Sequence, residues 1–191
     1  LVILDSPDGD HGVTESFIAA GFRLCCNVVM TTAEPHAPRR RSTEVEVRAL
    51  ESDGDWRQAL DNQIACMEPE FEVSAYRLHR QHQIDRYRRM ANAGIGHWYG
   101  AFIGHRLVAD LGIFHDRGIG RFQMVQTHPD FRRRGIGSTL VFKSARLALA
   151  EDNFDVLVIL AEEDSAAQRL YKSIDFVPVE RQLGLERWPN D

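Results

Sequence analysis

The sequence predicts an α/β (α+β) protein in which short strands alternate with helices. The chain has 191 residues, 43% of them hydrophobic and 27% charged, which is enough to bury a core of its own. Strand-like apolar runs at residues 122–127 and 156–161 are each followed by a helix-like run. The first strand and its helix are joined by Arg132-Arg133-Arg134-Gly135-Ile136-Gly137, a basic turn rich in glycine.

The N-terminal 32 residues resemble a later part of the same chain. Residues 1–4, Leu-Val-Ile-Leu, recur as residues 157–160; residues 15–22 align with 169–176, each closed by Phe; and both copies continue into a strand-rich segment, 23–32 and 177–187. Order and spacing agree, which predicts that residues 1–32 are a partial, degenerate β-α-β-β half unit. An unrelated β-α-β extension is the alternative. Because residue 1 is not methionine, we expect the natural chain to begin further upstream.

The apolar segment 1–4 would be an aggregation hazard as a bare edge strand. We expect it to pair with the main sheet, with a partner chain in a homodimer, or with residues outside this sequence. Residues 33–43 contain two prolines and three arginines and predict a linker, which we expect to be solvated. Contact of its arginines with a phosphate group or a partner is the alternative.

Residues 44–191 then predict the main domain. Helix 53–67 is expected to begin with Asp53 or Asp55 as N-cap. Helix 75–92 offers Tyr76, Leu78 or His79, Ile84, Tyr87 and Met90 as buried candidates. The remaining predicted elements are strand 45–50, a hairpin of strands 97–103 and 106–114, a turn at 115–120, strand 121–127, helix 137–150, strand 155–161, helix 165–174 and a final strand pair ending near residue 187.

The basic turn has the properties of a pyrophosphate-binding site. Glycines let the backbone approach an anion closely. The N–H groups at the start of a helix point at such an anion, and arginine adds bidentate donors. The following helix has a face of small and apolar residues, which allows close packing on a sheet: Gly137, Leu140, Val141, Ser144, Ala145 and Ala148. A solvated basic turn before an ordinary amphipathic helix is the alternative.

Composition excludes several classes of function. The net charge is −5, so no overall positive field attracts nucleic acid or an anionic membrane. No apolar run reaches membrane-spanning length and no signal peptide is visible. Cys25, Cys26 and Cys66 show no metal-ligand spacing, so no metal is expected, and they are interpreted as reduced thiols in or near a core. A cytoplasmic location follows as an expectation.

Two blocks of the chain resemble the GNAT superfamily of N-acetyltransferases. The acetyl-CoA signature of that family, Gln/Arg-x-x-Gly-x-Gly/Ala, is matched by Arg132, Gly135 and Gly137, with Pro129 just before it. In the second block Leu170, Tyr171 and Phe176 match, whereas Asp164 stands where Asn is usual and Asp175 where Gly is usual. The resemblance covers residues 44–191.

The resemblance implies a mixed, mostly antiparallel central sheet flanked by helices, and transfer of an acetyl group from acetyl-CoA to a primary amine of a small molecule or peptide. Tyr171 is implied as the general acid toward the leaving sulfur; a packing role is the alternative. Backbone groups on a splayed strand would bind the pantetheine arm, and those of the turn would bind the pyrophosphate. The implied cofactor-binding residues are Val125, Gln126, Thr127, Arg132, Arg133, Arg134, Gly135, Ile136, Gly137, Ser138 and Asp164.

The general base is left open by the sequence. Relatives carry Glu at positions that correspond to Arg121 or Ile159 here, and neither side chain accepts a proton. The remaining candidates are His115, Asp116, His128, Glu162 and Glu163, or a water and carbonyl relay without a dedicated base. Acceptor choice is assigned to loops at 67–75 and 182–187. A catalytically silent acyl-CoA-binding module is the alternative function; a nucleic-acid or peptide-binding role for the arginine-rich helix 75–92 is disfavoured by the net charge.

Overall fold

The computed structural model describes residues 2–4, 14–69, 71–151 and 155–187, and of residues 2–4 only the backbone. Within these ranges the chain forms eight strands and five α-helices, with one 3₁₀ turn at Pro129–Phe131. The elements are β1 (Val2–Leu4), α1 (Glu15–Ala19), β2 (Arg23–Thr32), β3 (Glu46–Ala49), α2 (Asp53–Ala65), α3 (Val73–Asn92), β4 (Gly96–Ile103), β5 (Arg106–Asp116), β6 (Ile119–Thr127), α4 (Ile136–Glu151), β7 (Val156–Glu162), α5 (Ala166–Lys172) and β8 (Val177–Glu186).

All eight strands belong to one mixed sheet, in the order β1-β8-β2-β7-β6-β5-β4-β3. Neighbouring strands are antiparallel except β6 and β7, which run parallel. The mixed, mostly antiparallel sheet flanked by helices is therefore confirmed.

The two faces of the sheet carry two separate cores, because successive side chains of a strand point to opposite faces. On β4, Trp98 packs with Trp56 of α2 and Ile84 of α3. Its neighbour Tyr99 belongs to the other core, which includes the apolar face of α4. The predicted small face of α4 is confirmed, since Leu140, Val141, Ser144, Ala145 and Ala148 are all buried.

The sequence repeat at the N-terminus reappears in the register of the sheet. In the repeat, Val2 corresponds to Val158 and Thr31 corresponds to Leu185. Val2 pairs with Leu185, and Val158 pairs with Thr31, so equivalent residues make equivalent pairs. The strand order shows the same symmetry: β1 lies beside β8, and β7 lies beside β2. Of the alternatives for the first strand, pairing with the main sheet is therefore the one found; Leu1 lies outside the described residues. The division at 1–32 and 33–43 stays a prediction, but β1 and β2 are part of the same sheet as residues 44–187.

The predicted strand pairs at 23–32 and 177–187 were wrong. Each segment is one ten-residue strand, and the two pair with each other along their length. An irregularity in the register between Val29 and Met30 takes up the mismatch opposite Pro178. A proline inside a strand is tolerated at such a bulge, so the break in the apolar pattern did not require a turn.

Two details of the α2–α3 pair also differ from the prediction. The N-cap of α2 is Ser52, and Asp55 occupies the third helical position in a capping box. On α3 only Ile84 is fully buried, whereas Leu78 is 59% exposed. Tyr87 and Met90 are partly buried against the α2 side of the sheet. The arginines of α3 leave too narrow an apolar stripe for the broad buried face that we expected.

The linker 33–43 is not solvated along its length. Pro35, Pro38 and Ser42 are buried. The backbone N–H of His36 donates to the carbonyl of Ile174 at 3.2 Å. The linker therefore follows the surface of the domain from the end of β2 toward the turn before α4, contrary to the expectation of a free connection.

Candidate active site

The site begins where β6 and β7 separate. These parallel strands pair only over Ile119–Arg121, opposite Val156–Val158. Beyond Arg121 the edge of β6 turns away, while β7 continues to pair with β2 as far as Glu162. On its other side β6 carries a register shift against β5, with Met124 at a φ of 51°. A bulge of this kind bends a strand and redirects its groups, and it leaves residues 125–127 beside a gap in the sheet.

The basic turn closes one end of this gap. Gly135 has a φ of 74°, in the region that favours glycine, and Arg133 also lies there at 65°. The N–H of Thr139 donates to the carbonyl of Gly135 at 3.1 Å, so the hydrogen-bond ladder of α4 starts at that point. The N–H groups of the preceding residues have no partner within the helix and point out of its N-terminus. This is the geometry that helices use to bind phosphate.

A cavity of about 450 Å³, called here the cofactor cavity, joins the strand edge to the turn. It brings together most of the residues that the sequence assigned to the site: Val125, Thr127, Arg132, Arg133, Gly135, Ile136, Gly137, Ser138 and Tyr171. Residues that the sequence did not assign complete its lining: Arg40, Phe131, Ala166, Ala167 and Leu170. The alanines and Leu170 lie on α5, which forms the apolar wall.

Three of the predicted residues do not line the cavity. Gln126 lies opposite Asp110 on β5, and strand alternation turns its side chain away from Val125 and Thr127. The Arg134 guanidinium lies 5.1 Å from the centroid of the Phe131 ring and donates to the carbonyl of Asp130. The backbone of Asp164 is engaged with α5, since its N–H donates to Gln168. Backbone roles for Gln126 and Arg134 stay predictions, although the Arg134 guanidinium is directed away from the cavity.

Position 137 leaves little room for a side chain. A Cβ placed there would lie 3.2 Å from Oγ1 of Thr127, a tight contact, and 3.5 Å from Cδ1 of Leu170, an ordinary one. A large side chain at this position, which lines the cofactor cavity, would take up space in it. A left-handed glycine, N–H groups without helical partners and a small residue at 137 therefore meet at one end of the cavity, an arrangement that suits an extended phosphate-bearing ligand.

Tyr171 lies on the α5 wall of the cavity and is almost fully buried, at 5% exposure. Its ring centroid lies 6.2 Å from that of Phe176. Burial raises the pKa of Tyr171 above its usual value. The phenol therefore keeps its proton at neutral pH, which a proton donor requires.

The carbonyl of Thr127, at the end of β6, is already engaged. Nε of Arg132 donates to it at 3.1 Å, and Sγ of Cys66 lies 3.4 Å away. Burial raises the pKa of the Cys66 thiol, while Arg132 opposes the shift. The strand edge open to a ligand is thus shorter than the predicted 125–127, because one of its acceptors is used inside the protein.

The comparisons with known proteins agree with this geometry. Residues 99–183 match the family model described as FR47-like protein. A functionally unknown conserved protein from Staphylococcus epidermidis has a similar structure, with a TM-score of 0.71, 18% identity, and coverage of 92% of this chain and 66% of that one. A GCN5-related N-acetyltransferase from Sphaerobacter thermophilus gives a TM-score of 0.68 at 17% identity, covering 94% of this chain and 57% of that one. The chain has the same fold as this GCN5-related N-acetyltransferase.

A tandem GNAT protein from the clavulanic acid biosynthesis pathway is also similar, with a TM-score of 0.57 and 14% identity over 96% of this chain and 62% of that one. The chain therefore spans less than two thirds of these three structures. No curated protein matches the sequence. At these identities the structural likeness establishes the fold, and the activity of this protein has to be argued from its own residues.

A second cavity, of about 480 Å³ and called here the acidic cavity, is lined by a different set of residues. Its walls come from β2, the ends of β7 and β8 and the loop after α2: Arg23, Leu24, Cys25, Cys26, Glu68, Glu162, Glu163 and Glu186. Glu68 follows closely after Cys66, which touches Thr127 of the cofactor cavity. The two segments to which the sequence assigned acceptor choice, 67–75 and 182–187, both contribute a carboxylate here.

The candidates for the general base are separated by their positions. His115 and Asp116 pair with the start of β6, about 20 Å from Thr127 at the usual rise per residue. Nδ1 of His128 accepts the backbone N–H of Asp130 and caps the 3₁₀ turn. Glu162 and Glu163 line the acidic cavity, but Glu163 accepts a hydrogen bond from Arg181, which lowers its pKa and its basicity. Glu162 is the best-placed candidate.

Asp110 is a buried acid that the sequence analysis missed. It lies on β5 directly behind Gln126, and its carboxylate accepts hydrogen bonds from Asn62 at 2.5 Å, Gln63 at 3.2 Å and the Trp98 indole at 2.8 Å. Burial raises its pKa to about 6, against the effect of these donors. Asp110 ties α2 to the strand that supports the site. The only available signal was an acidic residue inside an apolar strand.

Proposed function

We propose that this protein is an acetyl-CoA-dependent N-acetyltransferase that acts on a primary amine of a small molecule or peptide. One observation carries the proposal: the glycine-containing turn and Tyr171, which lie in different sequence blocks, line the same cavity where β6 and β7 separate. A phosphate-binding end and a proton donor in one cavity are the two requirements of acyl transfer from a CoA thioester.

At the phosphate end, the N–H groups at the start of α4 bind the pyrophosphate together with the guanidinium groups of Arg132 and Arg133. Along the gap, free backbone groups of β6 align the pantetheine arm and polarise the acyl carbonyl. Ala166, Ala167 and Leu170 exclude water from this wall, which strengthens the electrostatic interactions inside the cavity.

At the reacting end, acetyl-CoA supplies an activated acyl group. The amine lone pair forms the new C–N bond while the C–S bond breaks. The hydroxyl of Tyr171 donates its proton to the departing sulfur; a phenol is protonated at neutral pH, so the proton is present before transfer. The resulting phenolate, unstable in its buried site, regains a proton from solvent or from the amine.

We place the acceptor amine at the acidic cavity. Its carboxylates favour a cationic acceptor by charge complementarity. Glu162 then receives the proton that the ammonium group must lose before attack. Glu68 of the acidic cavity follows two residues after Cys66, whose Sγ lies 3.4 Å from the carbonyl of Thr127 in the cofactor cavity. We propose that the amine held by Glu162 reaches the acyl group along this side.

The test of this proposal begins with binding. Acetyl-CoA at a hundredfold above its dissociation constant should stabilise the protein by about 2.7 kcal/mol, seen as a rise in melting temperature. Gly137→Glu should abolish the rise, since the side chain enters the space between Thr127 and Leu170. Gly54→Ala in α2 is the matched control and should retain it, because a Cβ there makes only an ordinary contact with Ser52. A full wild-type rise in Gly137→Glu would show that the ligand binds elsewhere.

The catalytically silent acyl-CoA-binding module is the alternative function. It is favoured by the absence of a base at the positions of Arg121 and Ile159, where relatives carry Glu. Release of free CoA from acetyl-CoA, measured across a panel of cationic and neutral amines, separates the two functions. Amine-dependent release supports the enzyme; a stabilising complex without release with any amine supports the silent module.

A further inference from the structure

The linker between β2 and β3 is docked against the phosphate-binding turn. The guanidinium of Arg40 donates a hydrogen bond to the carbonyl of Arg133. In return, the hydroxyl of Ser138 donates to the carbonyl of Arg40 at 2.9 Å. The buried N–H of Ser42 donates to Oγ1 of Thr139 at 2.8 Å. Three hydrogen bonds therefore hold this short segment on the turn.

The contact between linker and turn is tight on the backbone side as well. A Cβ at Gly135 would lie 3.1 Å from the carbonyl oxygen of Arg40 and 3.2 Å from the carbonyl carbon of Arg41. Further back, Nδ1 of His36 lies 2.8 Å from a carboxylate oxygen of Asp175, beyond the end of α5. The linker thus contacts both elements that flank the cofactor cavity, and its path is fixed at two points.

This path makes Arg40 part of the cavity wall, although it is remote in sequence from the rest of the lining. Arg40, Arg132 and Arg133 line the cavity together, and none of its described lining residues is acidic. One hydrogen bond to the carbonyl of Arg133 uses one of the five N–H donors of Arg40. The remaining donors, and a positive charge with no acidic partner among the described lining residues, lie at the edge of the proposed phosphate site.

We propose that Arg40 binds the phosphate groups of CoA directly, as an arginine that the linker adds to the signature turn. The proposal rests on the proposed CoA site. Guanidinium groups bind phosphate through paired, charge-assisted hydrogen bonds. The bond from Ser138 holds the backbone of Arg40, the bond to Arg133 orients its side chain, and the bond from Ser42 fixes the segment that follows. Arg40 is therefore positioned before the ligand arrives, which reduces the entropy lost on binding.

The test compares CoA binding by calorimetry in the wild type, Arg40→Gln and Arg40→Lys. Arg40→Gln should weaken the affinity about tenfold or more, because a charge-assisted hydrogen bond to phosphate is lost. Arg40→Lys should recover part of the affinity, since it restores the charge without the paired donors. Arg39→Gln is the matched control: it removes the same charge from an exposed neighbour outside the cavity lining and should leave the affinity within about twofold.

Binding of three ligands shows which phosphate group of CoA Arg40 contacts. Equal weakening for CoA and 3′-dephospho-CoA indicates the diphosphate, and weakening for CoA alone indicates the 3′-phosphate; either supports the proposal. Pantetheine, which lacks phosphate, should bind wild type and Arg40→Gln alike when titrated by NMR. Wild-type affinity of Arg40→Gln for both nucleotides overturns the proposal. So does an equal loss for pantetheine with a lower melting temperature of the free protein, which would make Arg40 only a support of the turn. Failure of the wild type to bind CoA would instead refute the proposed function itself.

Discussion

Tyr171 carries the chemistry of the proposed reaction at the scale of a single residue. Its ring packs near Phe176 and its position on α5 directs it to the cofactor cavity. The sequence repeat offers a natural comparison, because Phe17 stands at the equivalent place in the N-terminal copy. Removal of the hydroxyl alone therefore separates chemistry from packing.

Tyr171→Phe should leave acetyl-CoA binding nearly unchanged and lower the turnover number by about a hundredfold to ten-thousandfold, the usual cost of losing a positioned acid. Binding is measured by calorimetry and turnover by release of free CoA from one preparation. Tyr76→Phe, on α3 and outside both cavities, is the control and should retain full turnover. An unchanged turnover number in Tyr171→Phe, with altered stability, would leave Tyr171 a packing residue.

The sequence could predict most of the cofactor cavity because its residues lie in two short blocks with local rules. A glycine turn before a helix and an aromatic residue on the next helix can be recognised without knowledge of the fold. Arg40 could not be recognised in this way. It lies in a proline- and arginine-rich stretch of the kind that is usually solvated, and its contact with Arg133 depends on the path of the linker across the surface. Asp110 was missed for the same reason, since its donors come from α2 and β4.

The start of α2 shows how one carboxylate can serve a whole element. The Asp55 carboxylate accepts hydrogen bonds from the backbone N–H groups of Glu51 and Ser52, and the backbone N–H of Asp55 donates the reciprocal bond to the Ser52 hydroxyl. Both carboxylate oxygens also accept from the Arg48 guanidinium, at 2.9 and 2.8 Å. The Arg48 hydrogen bond, more than any other contact, holds the pKa of Asp55 well below its usual range. Helix α2 is thereby fixed to the end of β3.

Asp55→Ala should lower the free energy of unfolding by about 2 kcal/mol, as the cap and the ion pair are lost together. The pKa of Asp55 is lowered by folding, so its contribution is present above the unfolded-state value of about 4 and is lost as the pH falls below it. Urea unfolding of both proteins at pH 7 and pH 3 measures this, and the difference between them should shrink at pH 3.

Asp53→Ala is the control on the same helical turn. Asp53 is exposed and pairs with Arg88 at the surface, so its loss should cost less than about 1 kcal/mol. A cost for Asp53→Ala equal to that for Asp55→Ala, or a pH-independent difference for Asp55→Ala, would contradict the role given to the capping box.

At the scale of elements, periodicity predicted the strands and helices that bury one clear face. The 97–103 and 106–114 hairpin appears as β4 and β5, and the helix after the basic turn appears as α4. Predictions were wrong where pairing between strands outweighed the local pattern of apolar and polar residues. A strand pair was expected at 177–187, yet β8 is one strand, because β2 beside it pairs along its length. The first half of β8 is exposed and therefore tolerates polar side chains, whereas residues 183–185 are buried.

At the scale of the whole molecule, the N-terminal residues supply two strands of the sheet: β1 lies at one edge and β2 lies in the interior. β2 pairs with β7 on one side and β8 on the other, and it buries Val28, Met30 and Thr32. Within the described ranges no helix is both long and apolar enough to cross a membrane. The sequence repeat predicted that the two copies have similar elements. It could not predict the order of the strands in the sheet, because that order depends on pairing between segments that are distant in sequence.

The role of β2 gives the last prediction, which also tests the proposed division of the chain at residue 44. A protein comprising residues 33–191 lacks β2, so β7 and β8 lose a shared neighbour and expose two strand edges. It also loses Met30 from the core, where that side chain is 0% exposed. We expect it to aggregate or to unfold without a cooperative transition.

A protein comprising residues 14–191 lacks β1 but keeps β2, and it should melt cooperatively because only the outer edge of β8 is uncovered. Circular dichroism and size-exclusion chromatography of the two proteins make the comparison. If residues 33–191 fold as cooperatively as residues 14–191, then β2 is dispensable and the domain that begins at residue 44 is self-sufficient; if they do not, the folding unit of this protein includes the strand that precedes its linker.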